Sequence, residues 1–246
     1  MRLDIALVER GLCDSREKAK RMILAGQVLI NQQLARKPSD DVKESDQLSV
    51  AAPEKYVSRG GHKLEHGLDF FHIDVQGAVA VDLGASTGGF TDCLLQRGAA
   101  RVFSVDVGRG QLAWKLRRDP RVVVMEKTNA RALTRHHFPP DFAGANLVVA
   151  DCSFISLQKI LPAAIELLRD SGNILALVKP QFEAGKAEAD KGAGVISDPA
   201  IHRRVLEDLQ KWVNNNTRLR WRGHTESPLI GPAGNKEFLA LLEKKS

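Results

Sequence analysis

The run Ala80-Val-Asp82-Leu-Gly84-Ala-Ser86-Thr87-Gly88-Gly89-Phe90-Thr-Asp92 gathers groups that can hold a small charged ligand. An apolar stretch (Val79, Val81, Leu83) ends beside a carboxylate and passes into a glycine-rich turn. Glycine serves where the backbone turns with positive φ or lies close against a ligand. A helical pattern follows, with Phe90, Leu94 and Leu95 at helical spacing. The start of such a helix offers unpaired N–H groups and partial positive charge to a carboxylate or phosphate. A second carboxylate, Asp106, ends the apolar run that begins at Arg101. In a doubly wound sheet, an acid at the end of the second strand takes a ribose hydroxyl pair. Dinucleotides and S-adenosylmethionine both carry that ribose, and the glycine spacing separates them. The run is not G-x-G-x-x-G, and Asp82 would repel a pyrophosphate but suits an amino group such as the methionine end of S-adenosylmethionine. A dehydrogenase is disfavoured.

Elements that could position these groups recur at α/β intervals. Val122–Met125, Ala145–Ala150 and Ile174–Val178 are continuous apolar runs, as in parallel strands covered on both faces. Helical patterns cover Leu157–Leu168 and Pro199–Val213, with Pro199 near a first turn. Strand patterns around Arg218–His224 and Glu237–Leu242 complete a seven-strand α/β domain of Rossmann-like type, its crossovers covering the sheet. Phe90 is as readily core as ligand contact, and Trp114 is read as core in preference to a surface platform for a base. The glycine-bearing stretch from Gln181 to Ser197 is read equally as a lid over substrate and as a surface loop.

The first sixty residues read differently. Leu3–Arg10 forms a short helix closed by Gly11, and Asp14 or Ser15 caps a second that ends at Gly26. Short strands follow at Val28–Asn31 and Gln47–Val50. This small α+β domain is assigned residues 1–52, a proline-marked linker 53–59, and the larger domain 60–246. Arg16, Lys20 and Arg21, with Arg2 and Lys37, form a candidate face for nucleic-acid phosphates. The formal net charge of +6 agrees with an anionic partner. Three widely spaced cysteines fit neither a disulfide framework nor a zinc site, and no metal is expected. With no signal-peptide pattern and no apolar run near the roughly 20 residues of a membrane helix, a cytoplasmic location is expected.

Several further motifs occur in order: Ser58-Arg-Gly-Gly-His-Lys63-Leu, Asp106-Val107-Gly-Arg-Gly-Gln-Leu-Ala-Trp114, Glu126-Lys-Thr-Asn129-Ala-Arg131, Ala150-Asp151-Cys-Ser-Phe-Ile-Ser156, Val178-Lys179-Pro-Gln-Phe-Glu183 and Gly231-Pro-Ala-Gly-Asn-Lys-Glu237. Together with the glycine-rich run they resemble the TlyA family, also labelled hemolysin A, over essentially the whole chain. That family joins an S4 RNA-binding domain to an FtsJ-like methyltransferase. The resemblance implies 2′-O-methylation of cytidine in ribosomal RNA with S-adenosylmethionine. It also implies the shorter class, linked to the large subunit, and a monomer is expected. Tyr56 stands where the family commonly has tryptophan.

FtsJ-like enzymes use a Lys-Asp-Lys-Glu tetrad, whose matching positions here are Lys63, Asp151, Lys179 and Glu237. A ribose hydroxyl must lose its proton as it attacks the methyl group. The resemblance makes Lys179 the base or the cation facing the developing alkoxide, with Lys63 beside it and the two carboxylates orienting both. Burial and a neighbouring ammonium lower a lysine pKa whereas carboxylates raise it, so residue types leave the choice open. Asp82, Gly84, Ser86, Thr87, Gly88, Gly89 and Phe90 are expected around the methionine part, Asp106 at the ribose, and Val107 and Asn129 near adenine. Asp151-Cys-Ser-Phe154 lacks the prolines of amino-group methyltransferases. Cys152, beside Asp151, is a poor thiolate for C5 chemistry and is read as packing. Two other classes stay open at this level: a membrane-active lytic protein, and a non-catalytic ribosome-assembly factor.

Overall fold

In the computed structural model, which describes all residues except 52, 53, 186, 187, 189–193, 232 and 246, the chain divides into Met1–Lys55 and Tyr56–Ser246. The smaller unit packs helices α1 (Leu3–Glu9) and α2 (Arg16–Leu24) with an antiparallel sheet. Its strands are β1 (Val28–Ile30), β2 (Gln33–Leu34) and β3 (Leu48–Val50), in the order β2-β1-β3. Leu3, Leu7, Ala19, Ile23, Val28 and Val42 form its core. Ser15 caps α2, its Oγ accepting from the Lys18 N–H at 3.3 Å, while Asp14 pairs with the Lys18 side chain instead. Strand β2 escapes a sequence reading because its hairpin turns through Asn31 and Gln32, both at positive φ, without the usual glycine.

The larger unit is built on a seven-stranded sheet. Its strands are β4 (Val79–Leu83), β5 (Arg101–Val105), β6 (Val122–Met125), β7 (Ala145–Ala150), β8 (Leu168–Val178), β9 (Leu219–Glu226) and β10 (Phe238–Lys244). The order is β6-β5-β4-β7-β8-β10-β9, parallel except for β10, which runs antiparallel to both neighbours. Alternate residues enter opposite layers, as the two-residue period of a strand requires. Val81, Leu83, Phe103, Val148 and Ala176 face α6 (Leu161–Leu167) and the helix Pro199–Asn216, here α8. Ala80, Val102, Val149, Leu175 and Leu239 face α3 (Gly60–Phe70) and α4 (Gly89–Gln96). Short helices α5 (Trp114–Arg117) and α7 (Pro180–Glu183) follow β5 and β8.

Three sequence expectations change. The helix expected from Leu157 to Leu168 is a 3-10 turn (Leu157–Lys159) followed by α6, and β8 starts at Leu168 instead of Ile174. The stretch 53–59 is not linker throughout, because Tyr56 is buried with Leu64, Phe90 and Leu94 in the larger unit's core. Trp114, read as core, is 71% exposed at the start of α5. Much of the Gln181–Ser197 stretch, Gly192 included, lies outside the described residues.

Candidate active site

Glycines set the approach of the two helices that border the site. A Cβ on Gly89 would lie 2.3 Å from Ser58 Oγ and 2.9 Å from the Gly61 backbone nitrogen. A Cβ on Gly61 would run into the Tyr56 ring at 2.2 Å. The Arg59-Gly60-Gly61 segment can therefore start α3 directly against the start of α4. One turn further along α3, Lys63 is buried, and Gly67 beyond it packs the helix onto Leu175 of β8 and Leu239 of β10. Lys63 thereby reaches the start of β10, where Glu237 is 2% exposed, and the ammonium donates to Glu237 Oε2 at 2.5 Å.

A second pair forms where β7 and β8 end side by side. Lys179 Nζ lies 2.6 Å from Asp151 Oδ1 and donates to Ser153 Oγ at 2.9 Å. An ammonium has three N–H donors. One is given to Ser153, while the close approach to Asp151 Oδ1 is an ion pair without hydrogen-bond alignment, so donor positions remain for a further partner. Lys63, Asp151, Lys179 and Glu237 all line one cavity of about 270 Å³, together with Ser58, Arg59, Ser86, Thr87, Gly89 and Phe90. All four members of the expected tetrad thus meet, as two ion pairs around one space. Ser58, Arg59 and Ser153 were not expected there. Their signal was position, two of them beside the Gly-Gly of α3 and one two residues past Asp151.

A larger cavity of about 590 Å³ shares Gly84, Ser86, Asp151 and Ser153 with the first. Asp106, Val107, Gln111, Thr128, Asn129, Arg131 and Phe154 also line it. Gly84 has φ +84°, and a Cβ there would meet the Asp151 carbonyl oxygen at 2.9 Å, so only glycine lets the turn pass this close to the β7 loop. Asp106 accepts from the Ser86 N–H at 2.8 Å and the Gly108 N–H at 2.7 Å, which fixes its carboxylate at the cavity wall with lone pairs to spare. Gly88 lines neither cavity. At φ +96° it packs under Leu112 and Leu116.

Asp82 differs from its expected place. It shares the inward face of Ala80, is fully buried, and accepts from Thr91 Oγ1 of α4 at 2.7 Å. It lines neither cavity, and it ties β4 to α4 behind the glycine turn. Burial, with the nearby charges of Asp151 and Asp106, pushes its carboxyl up to about 7. Cys152 is inert: burial and the Asp151 charge push its thiol up to about 12. Among the described residues no group of three His, Cys, Asp or Glu side chains is placed to hold a metal ion.

In the smaller unit, Arg2 and Arg16 both bind the buried Asp4, whose carboxyl they hold down at about 2. Lys20 pairs with Glu17 at 2.7 Å. Arg21 and Lys37 are exposed and make no ion pair among the described residues.

Comparison with known proteins gives this geometry a family. The pattern of the FtsJ-like methyltransferases matches residues 56–244, and that of the S4 domain matches residues 1–48. The chain belongs to the FtsJ-like methyltransferase family and carries an S4 domain before the methyltransferase domain. It is 46% identical to the 16S/23S rRNA (cytidine-2′-O)-methyltransferase TlyA of Mycobacterium tuberculosis, over 100% of this chain and 90% of the relative. It is 39% identical to Hemolysin A of Brachyspira hyodysenteriae, over 98% of each. A solved structure titled "Putative hemolysin from Streptococcus thermophilus" matches with a TM-score of 0.76 at 42% identity, over 100% of this chain and 89% of that one. No helix among the described residues of the S4 or methyltransferase domain is long and apolar enough to cross a membrane.

Proposed function

We propose that this protein transfers a methyl group from S-adenosylmethionine to the ribose 2′-oxygen of a cytidine in ribosomal RNA of the large subunit, acting as a cytoplasmic monomer. The observation that carries the reading is the meeting of Lys63–Glu237 and Lys179–Asp151 at one cavity that shares a wall with a second. The larger cavity falls within the size range of small-molecule sites. Its lining fits the methyl donor: Asp106 for the ribose hydroxyls, Val107 and Asn129 beside the adenine, and Gly84 and Ser86 of the glycine turn, shared with the first cavity, beside the methionine part. Asp82 acts from behind that turn by holding it to α4.

Bound S-adenosylmethionine supplies an electrophilic methyl carbon on a sulfonium. The chain must then orient the 2′-hydroxyl and remove its proton as the oxygen attacks. Lys179 takes that proton as the neutral amine, its nitrogen lone pair accepting it to give the ammonium, while Asp151 and Ser153 fix its direction. Lys63 faces the same space, held by Glu237, and stabilises negative charge developing on the 2′-oxygen. In the S4 domain Arg21 and Lys37 contact phosphates, which positions RNA without reading its bases. Arg2 and Arg16 support that face through Asp4, and Lys20 lies beside it.

The test is transfer of labelled methyl groups to unmodified large and small ribosomal subunits, wild type beside Lys179→Ala. Label recovered in 2′-O-methylcytidine of the large subunit and lost in the variant is expected. Cofactor binding without transfer to either subunit or its naked RNA would refute the ribosomal assignment.

A further inference from the structure

Asp151 and Lys179 reach each other from two loops at neighbouring strand ends. The loop after β7, from Asp151 to Ser156, has no regular structure and holds Phe154 at φ +62°. A bulky residue takes that conformation only where its surroundings impose it. The far end of the loop is tied to the other segment by one side chain. Glu183, at the end of α7 and one helical turn past Lys179, accepts from Ser156 Oγ at 2.7 Å and from the Leu157 N–H at 2.7 Å. Beside this link the Phe182 and Phe154 rings lie 5.2 Å apart.

Both donors to Glu183 are neutral. Arg204 lines the cavity behind Glu183 but is bonded to Glu188. Burial pushes the Glu183 carboxyl above its ordinary value. Withdrawing a carboxylate from water without a cation is costly. Capping the 3-10 turn does not require it, because Ser156 Oγ already accepts from the Gln158 N–H at 3.2 Å. What Glu183 adds is a link between the loop holding Asp151 and Ser153 and the segment holding Lys179.

We propose that Glu183 is a positioning residue for methyl transfer, latching these two segments so that Lys179 Nζ is aimed into the cavity. This rests on the catalytic reading of Lys179 and Asp151. The Glu183→Gln side chain keeps one acceptor for the loop, and Glu183→Ala keeps none. In the full-length protein, Glu183→Ala is expected to lower kcat for ribosomal RNA roughly 10- to 100-fold, the cost of misplacing a reacting group by about 1 Å. S-adenosylmethionine affinity should fall less than kcat, since Glu183 itself lines neither of the two site cavities although the loop it holds carries Asp151, Ser153 and Phe154 of the larger one, and Glu183→Gln should recover most of kcat.

A second readout does not depend on the reaction. In protein labelled with ¹³C-lysine, the Lys179 side-chain signal, assigned with Lys179→Arg, should move in Glu183→Ala and stay near wild type in Glu183→Gln. An unmoved signal with full activity in Glu183→Ala would overturn the proposal. So would loss of cofactor binding and of the folded spectrum in both variants, which would make Glu183 a general structural residue. A moved Lys179 signal in a protein whose wild type methylates no ribosomal RNA would support the latch and refute only the assigned substrate.

Discussion

Glu237→Gln isolates one charge in a place where charge is expensive. The side chain keeps its length and one carbonyl acceptor for Lys63, so packing is preserved while the negative charge is lost. Lys63 is 9% exposed and Glu237 2%, and the pair is closed at 2.5 Å. Removing one member of a buried pair leaves the other uncompensated, at about 3–5 kcal/mol. For a domain of this size each kcal/mol lowers the melting temperature by about 2–4 °C. The methyltransferase domain of Glu237→Gln should therefore melt roughly 6–20 °C below wild type. Calorimetry at pH 7 measures this, with methyl transfer measured in parallel. The double variant Lys63→Met/Glu237→Leu removes both charges and should recover most of the lost stability while remaining inactive. A melting temperature for Glu237→Gln within about 2 °C of wild type would refute the energetic argument. So would a double variant as unstable as the single one.

Asp82, with its folded carboxyl at about 7, keeps its proton in the folded state over a range where the unfolded chain has lost it. Its contribution is present below the ordinary carboxylate pKa and fades as pH rises through about 7; Asp82→Asn should flatten this slope and raise stability in urea at pH 8. Cys152→Ala should keep methyl transfer within about threefold, and wild-type Cys152 should resist iodoacetamide at pH 8, because a thiol pushed up to about 12 has almost no thiolate there. Gly84→Ala places a Cβ 2.9 Å from the Asp151 carbonyl at a positive φ, and equilibrium dialysis should show at least tenfold weaker cofactor binding with stability lowered by about 1–3 kcal/mol. Arg21→Ala and Lys37→Ala should each cut the salt slope of RNA binding by about 1, whereas Arg16→Ala should mainly destabilise the S4 domain by removing one of the two arginine partners of Asp4.

The continuous apolar runs of β4–β7 were legible because both faces of the sheet are covered, which leaves no polar alternation to confuse the pattern. The early start of β8 was not, since Arg169, Asp170, Ser171 and Asn173 carry no apolar signal and the register against β7 shifts here, between the pairs Ala145–Leu168 and Leu147–Asn173. The four positions that meet at the smaller cavity were named through motif resemblance, and spacing could not yield their meeting: Lys63 and Glu237 are 174 positions apart. Asp82 shows the opposite limit. Its residue type suits an amino group, but the two-residue period places it on the α4 side, one step below the turn that meets the cavities. Cys152 was legible as a poor thiolate from its neighbour Asp151, and its buried setting adds to that effect.

The reversed strand β10 has a consequence for when activity can begin. It inserts between β8 and β9, both made earlier in translation, and it brings Glu237 to a lysine that emerged from the ribosome long before. Until β10 is synthesised, the edge of β8 stays unpaired, Lys63 lacks its counter-ion, and the smaller cavity lacks the wall that Glu237 supplies. Contacts this distant along the chain form late and slowly. A nascent or prematurely terminated polypeptide can thus display its S4 domain and yet have no competence to modify RNA.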